Sequence, residues 1–128
     1  MKIELEVSSK RIADIMTTAI ESGYSRYWCN GVYWQSERAD PLPGLWYAEP
    51  ATYERSDFRI AVHEALEDGG APSRVYLLDA EAIAKGLAKM ATIAPKAFAT
   101  VIDPEGDADG IDADCFLQAV TLGEIRYG

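Results

Sequence analysis

Within its first 23 residues this chain switches from strand spacing to helical spacing, so it needs a sheet and a helix to cover one another. Residues 2–7 alternate charged and apolar, with Ile3, Leu5 and Val7 on one side, the pattern of a half-buried strand. Ser8 and Ser9 then supply an N-cap. Ile12, Ile15, Met16, Ala19 and Ile20 recur at helical spacing, and Gly23 ends the run where left-handed backbone suits glycine.

Strand-like stretches dominate the middle of the chain. Residues 26–29 and 32–34 flank Asn30-Gly31, the dipeptide most typical of a two-residue turn, and predict a hairpin. Residues 40–44 form a Pro/Gly turn, and Glu49-Pro50 is another break. A second β region is expected over residues 52–64. Phe58, Ile60 and Val62 alternate there with Asp57, Arg59 and Ala61, which puts Arg59 on the face away from the core. Residues 68–72 read as a hairpin connection into a strand at 74–78.

Asp79 is placed to cap a second helix carrying Ile83, Leu87 and Met90, weakened in its middle by Gly86. Pro95 interrupts the pattern, and Phe98, Val101 and Ile102 continue a short amphipathic piece. An acidic loop, residues 103–114, leads to a third helix with Phe116, Leu117 and Val120. Asp112 or Asp114 is expected to cap it, and Gly123 to end it. Residues 124–128 read as a tail or short strand. The expected architecture is a single α+β domain over residues 1–128: an antiparallel β-sheet with about three helices packed on one face.

Acidic residues outnumber basic ones 21 to 12, a formal charge of −9, which argues against a protein that tracks nucleic-acid phosphates. The balance leaves room for a small anion held locally by a few arginines, or for a carboxylate-rich mimic of nucleic acid that occupies a basic groove. Cys29 and Cys115 lie far apart and His63 is the only histidine, so no zinc-ligand spacing exists and both thiols are expected reduced in a cytoplasm. The chain starts without an apolar signal-like core, and no apolar run reaches membrane-spanning length.

Catalytic arrangements are scarce. His63-Glu64 lacks the second histidine of a zinc-protease helix, and neither Gly-x-Ser-x-Gly nor a P-loop occurs. The acidic loop fails as a calcium loop, because the position that needs a bidentate glutamate is Phe116. A non-enzymatic chain without a metal or cofactor is expected. The richer constellation is aromatic plus guanidinium. All three tryptophans and four of the seven tyrosines fall in residues 24–47, and Arg26, Arg59, Arg74 and Arg126 accompany aromatic or strand segments. Arginine grips phosphate bidentately, and tryptophan or tyrosine faces accept a purine. The same residues also suit half-buried strands and surface ion pairs.

Two segments together resemble a known group. Glu21-Ser22-Gly23-Tyr24-Ser25-Arg26-Tyr27-Trp28, directly after the capped helix, is similar to an element of small phage proteins in which a helix, Glu-Gly-Gly and an Asn-Tyr-Trp strand follow in order. Ser22 and Arg26 depart from that pattern. The closing residues, with Asp114, Gln118 and then Leu122-Gly123-Glu124-Ile125-Arg126-Tyr127-Gly128, resemble the end of the same proteins. These include the Thoeris anti-defence sponges, which sequester cyclic ADP-ribose signals; some also take up cyclic oligonucleotides. The resemblance implies an α+β homo-oligomer with pockets between protomers, acting in the cytoplasm of an infected bacterium. It implies ligand contacts from Arg26, Tyr27 and Trp28 at one end and Asp114, Gln118 and Arg126 at the other. Arg59 joins this set on its chemistry alone. The alternative of a different class is the acidic mimic, an inhibitor of a host or CRISPR effector.

Overall fold

A computed structural model describes residues 6–65 and 74–128. The strand expected over residues 2–7 and the connection at 68–72 lie largely or wholly outside the described residues. Helix α1 is Ser9–Glu21, begun by Ser8, whose hydroxyl accepts the Arg11 N–H at 3.1 Å, and followed by Gly23 at φ 81°. Its apolar stripe, Ile12, Ile15, Met16 and Ala19, is buried as the spacing requires.

Among the described residues three strands form an antiparallel sheet in the order β1 (Cys29–Trp34), β2 (Ile60–Glu64), β3 (Arg74–Leu78). Rows such as Val32–Val62–Tyr76 and Trp34–Ile60–Leu78 face inward, where Ile60, Val62 and Leu78 are buried under the helices. The alternate rows face out, so Arg59 is exposed as its position in the alternation predicts.

The Asn30-Gly31 hairpin is overturned. One strand runs straight through this dipeptide, and residues 25–28 form a wound turn, with the Trp28 and Cys29 N–H groups both donating to the Ser25 carbonyl. The favoured hairpin turn needs positive φ at both central residues, and neither Asn30 nor Gly31 has it. Instead the register slips between Cys29 and Gly31, leaving Asn30 as a bulge. Each flank has a better distant partner: residues 31–34 pair with β2, and Trp28 turns into the helical layer.

The β region expected over residues 52–64 is also shorter than its pattern. Pro50–Glu54 is a 3-10 turn, following another at Trp46–Ala48, and the strand begins only at Ile60. Pro50 opens the second turn, and Thr52, buried, donates to the Trp46 carbonyl at 2.6 Å.

Among the described residues there are four helices, where about three were expected. Asp79 caps α2 (Ala80–Ile93) by accepting the Ala82 N–H, and Pro95 opens a separate α3 (Pro95–Ile102). Helix α4 (Gly110–Leu122) starts earlier than expected. Asp109 is its N-cap and Asp112 returns the bond as its N3 partner, so neither Asp112 nor Asp114 is the cap. Gly123 ends it at φ 72°. Phe116, Leu117, Gln118 and Ala119 are all buried, which makes α4 the central helix. A side chain at Gly86 would collide with the Val120 backbone, so this glycine permits the close crossing of α2 and α4. Arg11, itself buried, binds α1 to the end of α3 by donating to the Val101, Thr100 and Gly106 carbonyls at 2.8–2.9 Å.

Candidate functional site

The wound turn after α1 and the C-terminal tail meet over α4, and a carboxylate lies at their junction. Asp114 Oδ1 accepts Ser25 Oγ and Trp28 Nε1, each at 2.7 Å. Its Oδ2 accepts Tyr27 OH at 2.8 Å and Gln118 Nε2 at 3.0 Å. A carboxylate has about four acceptor positions, so Asp114 is saturated within the chain. One helical turn on, Gln118 Oε1 accepts the N–H groups of both Arg126 and Tyr127 at 2.9 Å, while its Nε2 also donates to the Tyr127 carbonyl. A side-chain amide here substitutes for a strand partner and fixes the tail in place.

Tyr127 extends the network to the sheet. Its ring lies parallel to Trp28, centroids 5.8 Å apart, and edge-on to Tyr27 at 6.1 Å. Its hydroxyl donates to Glu64 Oε2 at 2.6 Å, beside Arg126 Nη1 at 3.1 Å, and Tyr76 OH donates to Oε1 at 2.8 Å. Glu64 is only 2% exposed. Burial pushes its carboxyl up, but the Tyr127 and Tyr76 hydroxyls and the Arg126 charge outweigh this and hold it below the ordinary range. The Tyr127 phenol is pushed up, chiefly by its bond to Glu64. Desolvation of the Tyr27 hydroxyl, then its bond to Asp114, push that phenol up to about 12.

Five of the seven sequence-expected residues therefore converge: Tyr27, Trp28, Asp114, Gln118 and Arg126. Their exposure separates their roles. Trp28 is wholly buried, with one face on Tyr127, and offers no face to a ligand in this structure. Asp114 and Gln118 are buried and fully hydrogen-bonded, so they hold the turn and the tail rather than reach outward. Tyr27 is anchored at its hydroxyl, but the residue is 54% exposed, as is Tyr24 three residues earlier. Arg26 lies between them on the exposed side, its guanidinium folded back near Gly23. The outer surface of the turn is thus two tyrosines and an arginine on a rigid base.

Arg59 does not join this cluster. It lies one residue before β2, at the opposite end of that strand from Glu64, in a polar cleft of about 300 Å3 shared with Ser36, Arg38, Asp57 and Asp79. Asp57 is paired there with Arg55 through two bonds of 2.8–2.9 Å, and Arg55 also covers the Trp34 ring.

Sequence reasoning passed over Ser25, Glu64, Tyr76 and Tyr127. A signal existed for Glu64, because it continues the buried alternation Ile60, Val62 and so places a charge on the core side of β2. Among the described residues no cluster of three or more His, Cys, Asp or Glu side chains is arranged to hold a metal ion, and no helix is long and apolar enough to cross a membrane. In comparisons with known proteins no family model matches the chain, and no curated protein and no solved structure is similar enough to count as a match.

Proposed function

We propose that this protein binds and withholds a cyclic nucleotide signal without cleaving it, in the manner of the phage anti-defence sponges its two end segments resemble. The observation that supports this reading most is the turn at residues 24–28. Exposed Tyr24, Arg26 and Tyr27 ride on a base locked by Asp114, Gln118 and Trp28. In this reading an adenine stacks on the Tyr27 face and Arg26 takes the diphosphate, with Arg126, 38% exposed in its side chain, at the margin. Trp28, Asp114 and Gln118 act as positioning residues, and pre-paid rigidity is what lowers the cost of binding. One turn covers only part of a ligand, so a second copy would close the pocket in a homo-oligomer working in the infected cell's cytoplasm.

The test is retention followed by release. The protein is incubated with cyclic ADP-ribose isomers and cyclic oligonucleotides and removed by filtration, and the retained material is freed by heat. Depletion with intact recovery is the expected result. Recovery of an altered nucleotide means an enzyme, and absence of depletion removes the reading.

A second reading rests on its own observation: Asp103, Glu105, Asp107 and Asp109 are all exposed along one loop of a chain with net charge −9. Such a row suits a mimic of nucleic-acid phosphates facing a basic protein groove.

A further inference from the structure

The two edges of the sheet are unlike. β1 carries a bulge at Asn30, a device that discourages further pairing. β3, Arg-Val-Tyr-Leu-Leu, pairs with β2 in unbroken register and has no proline, no bulge and no inward charge in its middle. Val75 and Leu77 stay 52% and 55% exposed. In the described sheet β3 is paired on one side only, so alternate backbone N–H and C=O groups point away from β2. An edge of that kind is a template for another strand.

A groove of about 670 Å3 runs along this edge, walled by α2 and floored by the last turns of α4. Ala82 and Gly86 make the helical wall shallow, and Lys85 and Lys89 stand on its rim. Thr121 forms part of the floor. It is more than nine-tenths buried, and its hydroxyl has no hydrogen-bond partner among the described residues. A buried hydroxyl left unpaired costs free energy, and this oxygen is closed off from solvent beneath the floor rather than open to an occupant. Lys89 reaches over the Gly123 end of α4, which holds its charge at the groove. Lys85 pairs with Glu81 at 3.1 Å, but both side chains are about three-quarters exposed, so that pair exchanges readily.

We infer that this groove binds an extended peptide strand with acidic side chains, added to β3 by backbone pairing. The helical wall decides between occupants. A second copy approaching edge to edge would bring its own α2, with Lys85 and Lys89 facing their equivalents. A single strand fills the groove with nothing behind it. The two lysines, in a chain of net charge −9, select for carboxylates in that strand. This surface is separate from the tyrosine–arginine turn and owes nothing to nucleotide binding.

The test uses the full-length 15N-labelled protein and a capped peptide of alternating Glu and Val. Two control peptides are used, one with Lys for Glu and one N-methylated at alternate amides. The expected result is amide shifts concentrated in residues 74–78 and 119–123 with the acidic peptide. The lysine peptide should bind at least about tenfold more weakly, and the N-methylated one should lose the β3 shifts. The double variant K85E/K89E, checked for folding by circular dichroism, should reverse the preference between the acidic and basic peptides. Equal binding of acidic and basic peptides, or absence of β3 shifts, overturns it. So does a concentration-dependent dimer that buries the β3 amides without peptide, which would make the occupant a second copy.

Discussion

Trp28 Nε1 and Asp114 Oδ1, 86 positions apart in the chain, are 2.7 Å apart in the fold. This bond explains why the aromatic turn after α1 does not become half of a local hairpin. The indole is drawn into the helical layer, where a carboxylate on α4 also satisfies Ser25 and Tyr27. Removing the acceptor leaves three donors of one turn without a partner. Asp114→Ala is therefore expected to cost about 3–5 kcal/mol, read from urea unfolding, because breaking a buried network strands its other members. Asp114→Asn keeps the shape and part of the bonding and should cost less. A loss under 1 kcal/mol for the alanine variant would show the network to be dispensable.

Tyrosine 27 and tryptophan 28, adjacent in sequence, should behave oppositely on substitution. Tyr27→Ala removes an exposed ring and should leave a folded protein that binds the proposed cyclic nucleotide about 1–3 kcal/mol more weakly, the usual worth of one stacked base. Trp28→Ala empties a fully buried site and should cost about 3–5 kcal/mol of stability. Calorimetric titration beside thermal unfolding separates the two. A Trp28→Ala chain that folds normally and loses only ligand would mean that Trp28 meets the ligand directly.

The regular parts of this fold were legible from local pattern. α1 announces itself through Ser8, its buried stripe and Gly23, and Arg59 faces outward as the alternation of β2 demands. What was not legible depends on partners distant in sequence. Nothing near Asn30-Gly31 says that residues 31–34 pair with residues 60–63, and that pairing overrides a strong local turn signal. Among the acids of residues 103–114, the cap is the one whose backbone ends the loop, Asp109; Asp114 could not be told from it until Trp28 and Ser25 were placed beside it. The end-segment resemblance brought together Tyr27, Trp28, Asp114, Gln118 and Arg126, but not which of them are covered. Burial is a property of the assembled core, and Tyr127, which covers Trp28, lies 99 positions further along the chain.

Glu64 links the C-terminal tail to the sheet as a carboxylate, and its folded pKa lies below the ordinary value. A lowered pKa contributes stability that is present above the unfolded value, near pH 4.5 for glutamate, and is lost as pH falls through the folded value. Acid should therefore release the tail, with Tyr76, Arg126 and Tyr127 losing their shared acceptor charge. Chemical denaturation across pH 2–7 should show a slope that Glu64→Gln reduces. The raised phenols run the other way. Tyr27 contributes stability present below about pH 10 and lost as pH rises towards about 12. Tyr27→Phe should flatten that alkaline limb, and an unchanged limb would place the alkaline loss elsewhere.

Charge separates the sponge from the nucleic-acid mimic. A mimic depends on distributed acidity, so neutralising Asp103, Glu105 and Asp107 should weaken its partner binding and flatten the salt dependence. Asp109 is left intact in this test because it caps α4, and replacing it would confound charge with stability. A pocket that grips a cyclic nucleotide through Arg26 should tolerate those three changes, or gain slightly, since carboxylates repel an anion. Arg26→Ala should have the reverse effect: folding intact, because the side chain is exposed, with nucleotide retention reduced about tenfold or more, as loss of a charge-assisted contact predicts. Arg126→Ala is a poorer probe, because its side chain also meets Glu64 and Glu124, so a loss of retention there would mix binding with tail release. Abolition of activity by the loop changes, with Arg26→Ala silent, would replace the sponge with the mimic.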